Sequence, residues 1–408
     1  MEAIHARCAG LDVHKDTVVA CARIGAGRKV EQSVATFQTT STGLLALSDW
    51  LAVHRCTHVA MEATGVYWKP VWHVLEGSFE LVLANATHVR NVPGRKTDVN
   101  DAMWIADLLA HGLIRGSFVP PEPIQQLRDL TRTRKQLVRE IARHTQRIQK
   151  TLEDANVKIT GVITDLLGVS GRAIVKALIQ GETDPERLAA LARGRLIAKR
   201  TALSEALRGR VNDHHRFLFK LHLGQIEALE QAKQELDTRL GEILNPFHAQ
   251  AELLTTMPGV SAVVAEVIIA EIGIDMSRFP TAGHLISWAG LCPRNDESAG
   301  KRRSTRLRPG APWLKATLVQ AAWAAVKRKD TYLRAQFLRL KTRRGPKKAI
   351  LAVTASMLTA TYHMLRDRTA YHDLGPYHFD QRDKIKLVNR LIRRVTDLGF
   401  QVELRPVA

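Results

Sequence analysis

The sequence predicts an α/β domain followed by an all-α remainder. Three observations predict it. The first 120 residues alternate β-rich apolar runs with stretches of helical period. Beyond Pro120-Pro121-Glu122-Pro123 the chain becomes rich in Leu, Ala and Arg, which favours helices. Hydrophobic residues make up 45% of the 408 positions and aromatics only 5%, enough for real cores in two or three domains.

Residues 8–14 and 16–24 are two β-rich runs, Gly25-Ala26-Gly27 is a turn, and 29–38 is a third run. A helix at 42–54 follows, capped by Thr40 or Ser41. The short strand 57–61 ends in Glu62. A helix at 66–76 leads to the apolar strand 80–84. After Pro93-Gly94 comes a helix at 98–112, with Thr97 or Asp98 as its N-cap. A three-strand meander followed by βα units implies a mixed sheet with helices on its faces. That strand order is the one expected of a ribonuclease-H-like fold.

Downstream, a basic helix at 124–154 carries Leu127, Leu130, Leu137, Ile141, Ile148 and Leu152 at steps of three and four. Short helices broken by Gly and Asp-Pro fill 160–212. A second long helix at 213–244 shows a heptad-like seam of Phe219, His222, Ile226, Leu229, Lys233, Leu236, Leu240 and Ile243. Two such helices suit an intramolecular antiparallel coiled coil or a dimer contact. Pro258-Gly259-Val260 before an apolar helix reads either as a helix-hairpin-helix turn facing a DNA phosphate or as a structural turn. Helices are expected at 313–329, with Trp313 and Trp323 as core anchors, and at 331–344 before Gly345-Pro346. The 17 uncharged residues 349–365 are short for a membrane span and read as a buried core helix. The domain limits expected are 1–120, 121–248, 249–368 and a C-terminal extension 369–408.

Four carboxylates stand out. Asp12 lies between Leu11 and Val13 on the first strand, where Asp is depleted. Glu62 ends the fourth strand. Asp98 and Asp101, three positions apart, share one helix face. Acids at a helix start also simply favour its dipole. In the expected fold all four converge at one end of the sheet. Such a group makes a poor core. It is a good cradle for Mg²⁺, one ion or two about 3.5–4 Å apart, in phosphoryl transfer.

Formal net charge is +20 and the pI about 10.2, which points to an anionic polymer as partner. Residues 301–348 hold 16 Lys and Arg against one acid, Asp330, and so carry +15 of the +20. Within this window Lys301, Arg302, Arg303, Arg306 and Arg308 read as a loop reaching phosphates, and Lys347 and Lys348 as the start of the apolar helix. On the long basic helix Arg132, Lys135 and Arg139 are further candidate nucleic-acid contacts. Cys8, Cys21, Cys56 and Cys292 show no metal-ligand spacing and read as reduced thiols. With no signal peptide expected, the chain is placed in the bacterial cytosol, away from membranes.

Five segments carry a family resemblance: GLDVHKD at 10–16, MEATGVYW at 61–68, GRKTDVNDA at 94–102, MPGVSAVVAEVIIAEIG at 257–273 and SWAGLCPRNDESAGKRR at 287–303. Together they resemble the DEDD transposases of insertion sequences of the IS110 family, over about residues 8–366. A tail, YHDLGPYHFDQRDK, also occurs in some members. The resemblance implies a RuvC-like N-terminal domain, a coiled-coil middle and a C-terminal transposase domain with a nucleophilic serine. It implies a recombinase guided by a structured non-coding RNA, the bridge RNA, that specifies donor and target DNA. Position by position, Asp12, Glu62, Asp98 and Asp101 match the metal-binding tetrad and Ser298 the nucleophile. Members commonly have Gly directly after that serine, where this chain has Ala299 and then Gly300.

Read from its residues alone, Ser298 sits in a polar loop beside Lys301, Arg302 and Arg303, with Ser304 and Thr305 as near alternatives. Serine needs a base or metal for activation, and this loop has no His. Cutting several strands implies at least a dimer, and the resemblance implies a tetramer. The alternatives are a metal-dependent nuclease like a Holliday-junction resolvase, without serine attack, and a basic nucleic-acid binder with a dead site.

Overall fold

The computed structural model describes residues 3–25, 29–63, 65–84, 101–114, 116–293, 296–298, 300–304, 306–307, 310–382 and 384–403. At 296–298, 302, 303, 382, 386 and 387 it describes the backbone alone. The chain divides into two compact units, Met1–Val119 and Pro120–Ala408.

The first unit is built on a five-stranded sheet ordered β3-β2-β1-β4-β5. The strands are β1 (Arg7–Val13), β2 (Thr17–Ile24), β3 (Glu31–Gln38), β4 (His58–Glu62) and β5 (Glu80–Ala84). β1, β2 and β3 pair antiparallel, while β4 joins β1 and β5 in parallel. This mixed sheet is the one expected and is consistent with a ribonuclease-H-like domain. Helix α1 (Ser41–Val53) starts at Thr40, whose hydroxyl accepts from the Gly43 amide. It and α2 (Trp68–Leu75) cover one face, where Leu11, Val18, Ala20, Leu44, Leu47, Met61 and Val71 form the core. Helix α3 (Asp101–Ala110) covers the other face, burying Ile105, Leu108 and Leu109 against Cys8, Ala60 and Ala84.

Burial pushes the thiols of Cys8, Cys21 and Cys56 up to about 11. All three are free, buried and in the inert thiol form near neutral pH.

Among the described residues the second unit is helical, apart from one hairpin. Its long helices α4 (Glu122–Asp154) and α8 (Asp213–Leu244) pack side by side. Arg134 meets Asp237, His144 meets His222 and Asp154 meets His215, so the two run antiparallel within one chain. The expected seam faces inward: Phe219, Ile226 and Leu240 are buried, and His222, Leu229, Lys233, Leu236 and Ile243 half-buried. Lys233 at a seam position is matched by Asp237 at 2.7 Å. Between them, α5 (Val169–Ile179), α6 (Pro185–Ala190) and α7 (Arg200–Ala206) close a small core around Ile174, Leu188, Leu203 and Phe219.

Helices α9 (His248–Thr255), α10 (Ala262–Ile272), α11 (Ala282–Trp288), α12 (Pro312–Ala325), α13 (Tyr332–Arg344) and α14 (Pro346–Asp367) complete the C-terminal part. α14 lies at its centre and buries Val353, Met357, Leu358 and Tyr362. That is the core helix expected, and no described helix is long and apolar enough to cross a membrane. Hairpin strands β6 (Asp296–Ser298) and β7 (Lys301–Ser304) precede α12. The tail folds back: Asp373 accepts from the Tyr332 amide at 2.9 Å, and Phe379 stacks on Tyr332. Short α15 (His378–Arg382) and α16 (Lys384–Thr396) end the described chain.

Candidate active site and nucleic-acid interface

Strand alternation decides where the first two carboxylates point. Leu11 and Val13 face the α1 core while Cys8 faces α3, so Gly10 and Asp12 share the α3 side. On β4, Val59 and Met61 face α1 and Ala60 faces α3, which puts Glu62 on the α3 side too. Gly10 pairs with Ala60 and Leu11 with Met61 in parallel register. Asp12 and Glu62 are the next step of that ladder, on strands about 4.8 Å apart.

Helix α3 runs antiparallel to β1. The Ile4 amide donates to the Ala110 carbonyl at 2.7 Å and the Cys8 thiol to that of Ala106 at 3.5 Å. A Cβ on Gly10 would stand 2.2 Å from the Ala102 carbonyl oxygen. Asp101 is the first residue of α3, one position before the Ala102 that lies over Gly10. Gly10 is what lets the helix lie this close. Asp98 lies outside the described residues.

Two site features were not singled out from sequence. One is Gly10. The other is His14, whose Nε2 lies 3.1 Å from the Asp12 carboxylate. His14 stands two positions after Asp12, just past the end of β1.

Every donor in this set is a carboxylate oxygen, which suits a hard divalent cation such as Mg²⁺. Among the described residues no three His, Cys, Asp or Glu side chains are gathered closely enough to hold an ion.

Ser298 ends β6 and pairs with Lys301 across a tight hairpin, with Gly300 at φ 74° supplying the positive φ of the turn. The expected loop is therefore in part a hairpin: 301–304 are strand residues. Lys301 and Arg306 are exposed, the side chains of Arg302 and Arg303 are not described, and Arg308 lies outside the described residues. Lys347 and Lys348 are exposed in the first turn of α14, just after Lys341, Arg343 and Arg344 in the last turn of α13. None of these five forms an ion pair among the described residues. Lysines at a helix start oppose its dipole.

The cations of α4 differ from expectation. Arg132 gives Nε and Nη2 to the two carboxylate oxygens of Glu271 at 2.8 and 2.9 Å. Glu271 is 1% exposed, and Arg128 donates to its backbone carbonyl at 2.7 Å. Arg132 thus satisfies a buried carboxylate. Lys135 donates to Thr317 at 3.2 Å. Burial, together with the nearby Arg139, holds Lys135 below the usual lysine range. Arg139 is exposed. The three cations stand 5.7, 5.8 and 5.4 Å from the Trp313 ring centroid. Trp313 is half-buried among them, and Trp323 is 41% exposed against Phe337. Neither tryptophan is the core anchor expected, because the buried stripe of α12 is Leu314, Leu318, Ala321, Ala322 and Ala325.

The turn at 257–260 is also decided by packing. Met257, Pro258 and Val260 are buried, and a Cβ on Gly259 would stand 2.3 Å from the Ala321 carbonyl oxygen. This turn is seated on α12 and is not open to a phosphate. Ser261 caps α10 through the Val264 amide.

A DEDD model of the IS110 type, described as a transposase, matches residues 9–157, and a model described as the transposase IS116/IS110/IS902 family matches 251–338. The chain belongs to the IS110 family of DEDD transposases. The first match takes in Asp12, Glu62, Asp98 and Asp101, and the second takes in Ser298 and the hairpin cations. Relatives of this IS110-family transposase include the insertion element IS110 uncharacterized 43.6 kDa protein of Streptomyces coelicolor, 30% identical over 155 residues, 37% of each chain. The insertion element IS900 uncharacterized 42 kDa protein of Mycobacterium paratuberculosis is 26% identical over 72% of this chain and 80% of its own. The pilin gene-inverting protein of Moraxella bovis is 22% identical over 89% of this chain and 96% of its own.

Proposed function

We propose that this IS110-family transposase cuts and rejoins DNA through a covalent phosphoserine intermediate on Ser298. In this reading Asp12, Glu62, Asp98 and Asp101 hold Mg²⁺, one ion or two. The observation that carries it is the juxtaposition of Asp12 and Glu62 on neighbouring parallel strands beneath the head of α3. A cation bound there would polarise a phosphoryl oxygen and offset the charge that builds up at phosphorus. Ser298 Oγ attacks phosphorus, the strand's 3′ oxygen leaves, and the 5′ end stays on the serine. A second 3′ hydroxyl then attacks the phosphoserine, rejoins the strand and releases Ser298. Lys301, Arg302, Arg303, Arg306, Arg308, Lys347 and Lys348 hold phosphates, as do Lys135 and Arg139 beside Trp313. Base pairing by a structured guide RNA selects donor and target, so the protein itself reads few base edges. The working form is an oligomer, a dimer or a tetramer, in the bacterial cytoplasm.

Asp12→Asn should lower strand cleavage by roughly 10³-fold or more while DNA binding and the melting temperature stay near wild type. Undiminished wild-type cleavage in excess EDTA would count against the metal role. Ser298→Ala should bind nucleic acid but yield no covalent protein–DNA adduct on denaturing gels, and an adduct from that variant would sink the nucleophile. RNA extracted from the purified protein should be one structured species encoded beside the reading frame. Heterogeneous cellular RNA would remove the guide.

One observation favours a resolvase-type nuclease instead. Ser298 stands at the hairpin turn, a place that serine takes for backbone reasons alone. Full cleavage by Ser298→Ala would decide for that reading.

A further inference from the structure

The triplet Gly-Val-Ser occurs twice at the start of a helix, at 168–170 before α5 and at 259–261 before α10. In the second copy Val260 is buried and Gly259 packs against α12, while Ser261 is exposed and caps α10. The first is open: Val169 is 68% exposed, Gly168 and Ser170 are half-buried, and no side chain caps the helix. Its serine does not cap either, because Ser170 Oγ accepts instead from the Arg193 amide at 2.9 Å. That bond ties the helix start to the turn 193–199. Together they enclose an open cavity of about 840 Å³ lined by Arg193, Arg195 and Lys199.

Of the other cations in 155–212, Arg200 and Arg210 form no ion pair among the described residues and five are paired. Lys158, Arg172, Lys176, Arg187 and Arg208 each pair with a carboxylate. Arg193, Arg195 and Lys199 are exposed and form no ion pair among the described residues. The one carboxylate in the lining, Asp165, accepts from the Leu167 amide at 2.9 Å and so braces its own turn. Cations grouped without internal partners repel one another, and an external polyanion relieves that cost.

We propose that this cavity, in the second unit, seats the phosphate backbone of DNA as a contact independent of sequence. Arg193, Arg195 and Lys199 bind adjacent phosphates, and the first turn of α5 adds amides at the same mouth. The choice of DNA rests on the recombinase reading above.

The test is salt-dependent binding of a fluorescein-labelled DNA duplex of mixed sequence by the full chain carrying Asp12→Asn, so that catalysis plays no part. Adding Arg193→Gln, Arg195→Gln and Lys199→Gln should weaken binding about tenfold and flatten the log Kd against log salt slope by about two to three. A matched triple, Lys158→Gln, Arg187→Gln and Arg208→Gln, removes the same charge and should change the slope by less than about one. Equal slopes for the two triples would overturn the proposal. So would loss of binding to an RNA hairpin with duplex DNA binding kept. In the unmutated chain, bound duplex should protect Lys199 from acetylation, and an unprotected Lys199 would also overturn it. Because binding is read without cleavage, failure here leaves the catalytic proposal standing, and the reverse holds.

Discussion

A single missing methyl group sets the geometry of the carboxylate site. Gly10 lies two residues before Asp12 on the same strand face, and the α3 backbone occupies the space its side chain would need. Gly10→Ala should therefore push α3 off β1 at a cost of about 1–3 kcal/mol. Cleavage should fall with it, although no carboxylate is touched. A lower melting temperature with unchanged cleavage would show that the spacing of α3 from β1 is not what organises Asp12 and Asp101. At the same scale, Arg132 shows how far identity alone can mislead. Its place on a basic helix read as a phosphate contact, yet its Nε and Nη2 meet the carboxylate of Glu271. A buried carboxylate without its partner costs several kcal/mol, so Arg132 is needed where it is.

At the scale of elements, the antiparallel pair α4–α8 is stitched by ionisable groups as well as by its apolar seam. His144 and His222 approach with their Nδ1 atoms 3.3 Å apart. Burial, then His144 and Arg147, hold the His222 imidazole below its ordinary range. The unfolded chain thus takes up the proton more readily than the folded one. The contribution to stability is present above the ordinary histidine value and is lost as pH falls below it. The melting temperature should drop between about pH 7 and 5.5, and His222→Asn should lessen that drop. An identical pH dependence in the variant would remove the pair from the account. The neighbouring Arg134–Asp237–Lys233 cluster is separate from this device, and its pairing keeps the Asp237 carboxyl below the usual range.

For the whole molecule, the net charge of +20 is not spread evenly. Part of it is neutralised inside, as in Arg128 and Arg132 around Glu271, and part stands free at the α13–α14 corner. DNA affinity should fall steeply with salt, with a log–log slope of about −0.9 per phosphate neutralised. Neutralising Lys347 and Lys348 together should flatten it by about two, and Arg132→Gln should not. An effect of Arg132→Gln on the slope matching that of the lysines would return it to the interface.

The sequence by itself determined the periodicities, and with them the order of strands and helices in the first unit, a cap at Thr40 or Ser41 and the buried helix at 349–365. Those features are local: a two-residue or 3.6-residue period and the chemistry of a cap are written in adjacent positions. Tertiary structure alone decided partners. It put Glu271 against Arg132, α8 against α4 within one chain, α12 over Gly259 and Ser298 on a hairpin turn. Each of those outcomes depends on what a distant segment places within a few ångströms. A charge or a glycine has the same identity in the sequence whether it meets solvent, a carboxylate or another backbone.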